Sequence, residues 1–570
     1  MRLGRLGSLE IGKVLETDLA IVGGGPVGLT IAELCAKAGI AVLVLESGLE
    51  EQDEAHEELN AVEFEGDGHG GEYSALRSAF HGQLATLWSD QRQPYGVRCR
   101  GLGGSTQAWA GKSAPFDPID FASRHWVENS GWPITLEELG PYIEQAGEVL
   151  NLCPAAPVAR FTGERLASFY WQFSRSRSEH FDVMRFGRMI SRTRPPGVDV
   201  MLDATVTRIA LDPSGRRVSH LEAADGAGQR HKVTARHFVL AASAIENARL
   251  LLASNDVAPA GIGNQHDNVG RYMTDHAGVQ IGTFREADIA RPAKIFGFYG
   301  VPHHKRAHMF MHGLALTPAA QESERLLNAA VWFAPKRAPD DPWDSLKRLL
   351  KGRSADRMHD LVTVMRGSST LAKGIGVHVI NSPRFPSVLK GAIANSAIRL
   401  SPNFVAGEFQ SGGLPHKLCG LSIEAITEQA PCRENRITLS GRGDRLGVPL
   451  ARASWKVGDL ERRTLLALAR ATKAGLAAAG LPSPDMVDWV ERGRAEEATP
   501  IDLAHTMGTT RMAVDPRDGV VDPRCRVHGI ANLHVAGGSV FPTAGQANPT
   551  WMMLAVACRL AADVQREFGS

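Results

Sequence analysis

Residues 17–48, TDLAIVGGGPVGLTIAELCAKAGIAVLVLESG, contain the stretch that decides the fold. The run LAIVG is short and apolar, which is typical of a buried parallel strand. The segment PVGLTIAELCAKAG has helical periodicity and ends at Gly39, a favourable residue for a helix C-terminus. AVLVLES then predicts a second buried strand. Strand, glycine-rich turn, helix and strand follow in the order of a dinucleotide-binding unit.

Three glycines in this unit, Gly23, Gly25 and Gly28, have the spacing G-x-G-x-x-G. In a dinucleotide site the first permits a tight turn, the second lets a pyrophosphate approach the backbone, and the third lets helix and strand pack closely. The phosphates would bind at the helix N-terminus, where the helix dipole is positive. Glu46 ends the second strand and could accept hydrogen bonds from ribose hydroxyls, which disfavours NADP. This motif alone does not distinguish FAD from NAD.

The composition is that of an ordinary globular protein and argues against several function classes. Of 570 residues, 43% are hydrophobic and 22% are charged, and the net charge of +1 provides no overall field for nucleic acid. Seven cysteines are scattered without a C-x-x-C spacing, so we expect reduced thiols, no metal site and a cytoplasmic protein. The sequence shows neither an apolar signal-peptide region at its start nor a run of ~18 apolar residues that predicts a transmembrane helix.

Six further stretches, read in order, resemble one family of oxidoreductases. They are GLGGSTQAWAG (101–111), GWPITLEELGPYIEQA (131–146), FVLAASAIENARLLLAS (238–254), NVGRYMTDH (268–276), ITEQAPCRENRITLS (426–440) and HTMGTTRMAVDPRDGVVDPRCRVHGIANLHVAGGSVFPTAGQANPTW (505–551). Together they resemble the glucose-methanol-choline (GMC) oxidoreductases, in the bacterial branch near pyranose oxidase and the large subunits of fructose dehydrogenase and gluconate dehydrogenase. The resemblance begins near residue 17 and is weakest over 277–420.

The resemblance implies a fold of the α/β plus α+β class. A discontinuous, Rossmann-like FAD-binding domain would be formed by residues 1–155, 198–276 and 500–570. A substrate-binding domain built on an antiparallel sheet would be formed by residues 156–197 and 277–499. This second domain is expected to carry a helical insertion near 340–370.

The resemblance also implies oxidation of an alcohol to a carbonyl, with FAD as the hydride acceptor. In the family, the first histidine of an H-x-x-G-T stretch is the catalytic base, which here is His505. Histidine suits this task because its unperturbed pKa is about 6.5. The second catalytic position falls on Asn548, which can donate to the substrate oxygen without competing for the proton. The alternative is that Asn548 only caps the following helix, since Asn at the N-cap and Pro549 at the first helical position are both favourable.

The family's cofactor-binding positions fall in several separated parts of this sequence. They are Gly23, Gly25, Gly28, Glu46, Gly103, Gly104, Ser105, Gln107, Ala108, Trp109, Ala110, Val206, Ala242, Gly537, Gly538, Asn548, Pro549 and Thr550. Relatives with a histidyl–flavin bond carry the linking histidine near Ala108, so the resemblance implies non-covalent FAD here. Trp551 stands where a smaller aliphatic residue is common, and Ala513 where glycine is common, which predicts an altered pocket.

Other conspicuous residues are interpreted as structural. His276, His528 and His534 lack the sequence support that His505 has. The cluster PHHKRAHMFMH (302–312) favours a loop or pocket wall over a metal site. The basic helix near 345–366 indicates a solvated face, with a lid over the active site or a docking surface for an electron acceptor as alternatives.

The substrate and electron acceptor stay open at this stage. We expect a small-molecule alcohol such as a sugar, a glycoside, or another polyhydroxy or aryl alcohol, and a homo-oligomer is one assembly to consider. Electrons would leave to O2, a quinone or a redox partner, because the sequence has no C-x-x-C-H heme motif. The alternatives are a non-redox, hydroxynitrile-lyase-like activity on the same scaffold and a flavoprotein subunit that passes electrons to a partner. Oxidase and dehydrogenase are not distinguished.

Overall fold

The computed structural model describes residues 1–66, 71–83, 85–178, 182–304, 306–337, 341–350, 354, 356–368, 371, 386–403 and 418–569. Its strands, in chain order, are β1 (Arg2–Arg5), β2 (Val14–Val22), β3 (Val42–Leu45), β4 (Val62–Gly66), β5 (Lys112–Ser113), β6 (Leu166–Phe173), β7 (Val198–Leu202), β8 (Thr205–Leu211), β9 (Val218–Ala224), β10 (Arg230–Leu240), β11 (Ala277–Arg285), β12 (Phe298–His303), β13 (Arg306–Leu316), β14 (Ala329–Arg337), β15 (Leu418–Thr427), β16 (Arg436–Gly443), β17 (Pro449–Trp455), β18 (Asp485–Met486), β19 (Ile501–Asp502) and β20 (Leu533–Val535).

The helices connect and cover these strands. In chain order they are α1 (Pro26–Lys37), α2 (Glu54–Glu57), α3 (Gly71–His81), α4 (Pro118–Phe121), α5 (Leu136–Val149), α6 (Phe186–Thr193), α7 (Ala244–Ala253), α8 (Ala290–Ile295), α9 (Pro318–Glu324), α10 (Pro342–Leu350), α11 (Arg357–Arg366), α12 (Ser387–Leu400), α13 (Asp459–Ala478), α14 (Asp488–Arg492) and α15 (Thr550–Gly569).

The first sheet holds the N-terminal glycine turn at its centre. Its strands lie in the order β1-β7-β3-β2-β10-β9-β8, and β20 pairs with the carboxyl half of β10. The pairs of β2 with β3 and with β10 are parallel, as the continuous apolar run predicts. Leu19, Ala20 and Ile21 are completely buried, and α1 packs against β2 and β3. The carboxyl ends of these strands therefore meet at one edge, where ligands bind in α/β sheets.

The second sheet is antiparallel and large. Its order is β18-β11-β15-β14-β13-β6-β5, with β12 beside β13 and β19 beside β11. Helix α13 packs on β14 and β15 and encloses a second hydrophobic core with them. A third, smaller sheet, β16-β17-β4, joins residues 62–66 to residues 436–455. The predicted α/β plus α+β class, with an antiparallel sheet beside a Rossmann-like unit, is confirmed.

The C-terminal part of the chain completes the first sheet. Strand β20 pairs with β10, and the next helix, α15, packs against α1 and α5. The helix is largely apolar, and Met552, Leu554 and Val556 are fully buried. The first and last parts of the sequence are thus neighbours, which brings the glycine turn close to residues 537–550.

The histidine cluster and the predicted helical insertion both lie in the middle of the chain. The histidine cluster 302–312 does not form a loop or pocket wall: His303 ends β12, and His308 and His312 lie in its partner β13. The loop prediction was wrong because antiparallel pairing places these three histidines within strands. The predicted helical insertion contains α10 and α11, while residues 340, 351–353, 355 and 369–370 of it lie outside the described residues. None of the described helices is long and apolar enough to cross a membrane.

Candidate active site

The three motif glycines have three different surroundings. Gly23 has a φ of +107°, and a Cβ there would lie 2.5 Å from the Ala241 carbonyl oxygen. At Gly28 a Cβ would lie 2.1 Å from the Gly23 oxygen, so this glycine permits the helix to pack against the turn. At Gly25, the residue before α1, no atom lies within 4 Å of a Cβ position. The backbone at Gly25 therefore faces open space at the positive end of α1, as a diphosphate cradle requires.

Glu46 anchors the loops around this cradle. Its Oε2 accepts the Gly24 N–H at 2.8 Å, and its Oε1 accepts the N–H groups of Gly48 at 2.8 Å and Gly101 at 3.1 Å. Burial raises the pKa of Glu46 and these backbone donors oppose the rise. The carboxylate lines the cavity and retains acceptor capacity, because each oxygen has two lone pairs.

A cavity of about 430 Å³ extends from this turn across the carboxyl edge of the first sheet to the second sheet. Sixteen of the residues expected at the site line it: Gly23, Gly25, Glu46, Gly104, Ser105, Ala108, Trp109, Ala110, Val206, Ala242, His505, Gly537, Gly538, Asn548, Pro549 and Thr550. The cavity suits a dinucleotide: Gly25 and Glu46 lie where one part of the ligand would bind, and His505 lies where its opposite end would reach.

Three residues expected to bind cofactor do not line this cavity. Gly28 lies behind the turn, where it contacts Gly23. Gly103 donates its N–H to the Gly24 carbonyl, and a Cβ on it would meet the Gly187 nitrogen at 2.4 Å. The Gln107 side chain donates to the Leu102 carbonyl at 3.0 Å. These residues hold the loops that form the wall.

Two expected pocket departures also lie elsewhere. Trp551 donates its indole N–H to the Ile143 carbonyl in α5 at 2.8 Å and does not line the cavity. Ala513 packs near Gly519 and is likewise outside the lining. The prediction that they alter the pocket was wrong because the helical rotation at α15 directs position 551 towards α5.

A hydrogen-bonded chain of three side chains ends at the cavity. Asn548 Nδ2 lies 3.1 Å from His505 Nε2, and His505 Nδ1 lies 2.9 Å from His276 Nδ1. His276 Nε2 in turn lies 2.8 Å from the Gly545 carbonyl oxygen. The Asn548 amide is thus engaged with His505, which the capping interpretation of Asn548 alone does not explain.

The partners in this chain determine its protonation. A carbonyl oxygen only accepts, so the proton of His276 is on Nε2. Burial lowers the pKa of His276 to about 4, so its ring is neutral near pH 7 and its Nδ1 is an acceptor. His505 must therefore donate from Nδ1. Its Nε2 then carries a lone pair directed at Asn548 and the cavity.

The pKa of His505 is well below its ordinary value. Burial is the main cause, followed by the proximity of His276, His81 and Lys112. A histidine in this state is neutral at physiological pH and is ready to accept a proton. His276, interpreted as structural from sequence, is in fact in contact with the candidate base.

One buried carboxylate fixes both histidine-bearing segments. Asp275 Oδ1 accepts the N–H groups of His276 at 2.8 Å, His505 at 2.9 Å and Leu503 at 3.2 Å. Burial and the nearby Asp502 carboxylate raise the pKa of Asp275. Its neighbour in sequence, His276, is thereby held in register with His505 across 229 residues of chain.

Another part of the cavity is lined by a charge network that sequence reasoning missed. Glu246 in α7 pairs with Arg98, with Arg100 at 3.3 Å and with Arg249 at 3.2 Å. Arg249 also contacts Asp444 at 2.6 Å. Burial alone would raise the pKa of Glu246, but the three arginines lower it to about 2. The network is nearly charge-balanced, which favours a structural role for most of these arginines.

The second sheet contributes an aromatic and cationic floor near His505. Lys112 Nζ lies 4.8 Å from the ring centroid of Trp332 and 5.9 Å from that of Trp171, and all three line the cavity. Among the residues that the structure describes, Lys112 forms no ion pair within 4 Å. Burial lowers its pKa to about 8, opposed by the charge of Glu424. These residues were missed because strand pairing that is remote in sequence, of β5 with β6 and of β14 with β15, brings them together.

Comparison with known proteins agrees with this architecture. The description "GMC oxidoreductase" matches residues 187–278 and residues 431–557, and an FAD-binding domain matches residues 16–56. The chain therefore carries two GMC oxidoreductase domains. The predicted cofactor, FAD, is confirmed.

Relatives of this GMC oxidoreductase include several characterised enzymes. It is 24% identical to 6'''-hydroxyparomomycin C oxidase of Streptomyces lividus, over 95% of this chain and 90% of the relative. It is 25% identical to the fructose dehydrogenase large subunit of Gluconobacter japonicus, over 64% of this chain and 53% of the relative. A solved structure of formate oxidase has a similar fold, with a TM-score of 0.55 and 17% identity, over 98% of this chain and 100% of that one.

Proposed function

We propose that this GMC oxidoreductase oxidises an alcohol to a carbonyl compound, with His505 as the base. The single observation that carries this proposal is the 3.1 Å contact between His505 Nε2 and Asn548 Nδ2 inside the cavity. In the proposed mechanism, the substrate hydroxyl displaces the Asn548 amide from His505 Nε2, so that Nε2 takes the hydroxyl proton and Asn548 donates to the substrate oxygen. When bound, FAD supplies the hydride acceptor, N5. The relatives named as oxidases and dehydrogenases support this reaction type.

The surroundings of His505 determine where the proton goes. His276 accepts from His505 Nδ1, while its own Nε2–H is committed to the Gly545 carbonyl. A proton arriving at His505 Nε2 thus has no continuous path through His276, and it stays at the cavity wall. The buried position excludes bulk water, which strengthens the hydrogen bond from Asn548 to an alkoxide-like oxygen.

The floor of the cavity supports a substrate class. Trp171 and Trp332 provide flat apolar walls, and Lys112 provides a donor and a positive charge. We propose a sugar-like or aryl alcohol that is neutral or anionic. The ammonium group of Lys112, which has no carboxylate within 4 Å among the described residues, would repel a polycationic substrate.

The finer features are also proposals. Ala108 lines the cavity and has no nucleophile, so FAD would be held without a covalent bond. The domain division is proposed as residues 1–155, 198–276 and 500–570 for FAD and residues 156–197 and 277–499 for substrate. O2, a quinone or a redox partner would receive the electrons.

Anaerobic mixing of the purified yellow enzyme with sugars, glycosides and aryl alcohols tests the reaction. A true substrate bleaches the flavin, and admitting air then shows whether O2 restores the colour. In His505→Ala we expect bleaching to slow by ~10²- to 10⁴-fold with flavin still bound. Bleaching at the wild-type rate would overturn the role of His505. Release of flavin by acid precipitation tests the non-covalent attachment.

Asn548→Ser separates the two interpretations of Asn548. The first hydrogen bond of α15 runs from the Met553 N–H to the Pro549 carbonyl, so Asn548 lies outside the helix and Asn548→Ser should leave α15 intact. Because the hydroxyl is too short to replace the amide contact with His505, we expect slower bleaching at unchanged thermal stability. A wild-type rate in this variant would reduce Asn548 to a helix cap.

A further inference from the structure

Helix α11 (Arg357–Arg366) presents its apolar face to solvent. Met358, Leu361, Val362 and Met365 have the spacing i, i+3, i+4, i+7 and therefore lie on one side of the helix. Their exposed fractions are 73%, 48%, 37% and 67%. A surface helix of a globular protein normally directs such a face into the core.

The opposite face of α11 is polar and buried. Asp360 is 2% exposed and pairs with Arg348 of α10, and Thr363 is also buried. Leu350, at the end of α10, is 79% exposed. We call Leu350, Met358, Leu361, Val362 and Met365 the α11 apolar face. Since the ion pair fixes the rotation of α11, the exposure of this face is built into the packing of the helix pair.

The same region is basic. Residues 341–403 contain ten Lys or Arg and four Asp or Glu, whereas the whole protein has a net charge of only +1. Arg357 and Arg366, at the two ends of α11, form no ion pair with the residues that the structure describes. A basic helix with an exposed apolar stripe combines the two attractions that hold a protein at an anionic lipid surface.

We propose that the α11 apolar face docks on the surface of an anionic lipid bilayer. The apolar side chains would enter the acyl boundary, and the flanking arginines would meet lipid phosphates. A second copy of the chain fits less well, because two basic regions would repel each other. An acidic protein would satisfy the charge and leave the methionines and leucines without an apolar partner. This inference is independent of the proposed reaction.

Sedimentation of the FAD-loaded, full-length enzyme with lipid vesicles tests the proposal. We expect binding to vesicles of phosphatidylcholine with phosphatidylglycerol and much weaker binding to vesicles of phosphatidylcholine alone. About 0.5 M NaCl should release the enzyme from the anionic vesicles, because salt at this concentration screens surface charges. In the double variant Met358→Gln/Met365→Gln, binding should fall at least about tenfold. Both side chains are already exposed, so flavin content and thermal stability should be unchanged.

A second pair of variants tests the charge contribution. Arg357→Gln/Arg366→Gln should weaken binding about fivefold per residue, at low salt only. Ile11→Gln and Val158→Gln are matched controls, because these apolar residues are 85% and 84% exposed outside this region. They should bind as the wild type does.

Three results would overturn the proposal. One is the absence of binding to the anionic vesicles at low salt. Another is equal binding by the wild type and Met358→Gln/Met365→Gln. The third is self-association of the wild type that the double variant abolishes without any lipid binding, which would assign the α11 apolar face to a second copy.

Discussion

His276 decides which nitrogen of His505 faces the cavity. Because its Nε2–H is bound by the Gly545 carbonyl, its Nδ1 can only accept from His505. In His276→Leu the buried His505 N–H loses its acceptor and the tautomer is no longer fixed. We expect flavin reduction to slow by ~10²-fold or more. In His276→Gln, the side-chain oxygen can accept the same proton, so the rate should recover most of the way.

Flavin absorbance and melting temperature provide the control for this pair. Both variants should retain bound FAD, because His276 does not line the cavity. If His276→Leu and His276→Gln reduced flavin at the same rate, His276 would be structural after all.

The pKa of His505 predicts the acid side of the pH profile. The base must be neutral to take a proton, and burial lowers its pKa well below 6.5. A lowered pKa keeps the ring neutral to lower pH. The rate constant for flavin reduction should therefore stay level from pH 8 down through pH ~6.5 and decline only below that value. Stopped-flow absorbance across this range measures it, and an inflection at or above 6.5 would contradict the burial argument.

Lys112 is expected to set the preference for ligand charge. Benzoate, benzamide and benzylammonium can be compared by the change each causes in flavin absorbance of the holoenzyme. Benzoate should bind at least about tenfold more tightly than benzylammonium, and weaken as pH rises through about 8, where Lys112 loses its proton. Lys112→Met should remove both effects. Tighter binding of benzylammonium by the wild type would refute the proposed substrate class.

At the scale of elements, two glycines at the start of α1 have different roles: Gly25 serves ligand binding and Gly28 serves folding. Gly25→Val adds a side chain in open space at φ −79°, so the fold should tolerate it while FAD affinity falls at least about tenfold. Gly28→Ala places a methyl group 2.1 Å from the Gly23 oxygen and should instead lower stability. Flavin titration and thermal melts of the two variants provide the comparison. Equal FAD affinity of Gly25→Val and wild type would show that this cradle holds no phosphate.

Local order made part of this architecture predictable. Val14 to Glu46 form one strand–turn–helix–strand unit within 33 residues, so periodicity and glycine spacing were sufficient. His276, Lys112 and Trp332 were not recognised because each reaches the site through pairing with strands far away in sequence. Trp551 was misjudged because a helix rotation, invisible in the residue types alone, directs it to α5.

At the scale of the whole molecule, FAD should hold distant parts of the chain together. The cavity wall includes Gly25 from the start of the chain, Val206 from its middle and Gly538 from near its end. Free FAD at a thousandfold excess over its Kd should stabilise the fold by ~4 kcal/mol. The apoprotein should therefore melt at a lower temperature than the holoenzyme, and its melting temperature should rise with added FAD. A melting temperature insensitive to FAD would mean that these walls meet without the cofactor's help.

The position of β2 has a consequence for synthesis on the ribosome. Its partner β10 follows about 220 residues later, with Val14 opposite Lys232. At typical translation rates the nascent chain carries β2 for roughly 10 to 45 s before that partner exists. For this interval one edge of an apolar strand is open to other nascent chains. The order in which the polypeptide is made thus places the aggregation hazard at the very strand that later supports the glycine turn.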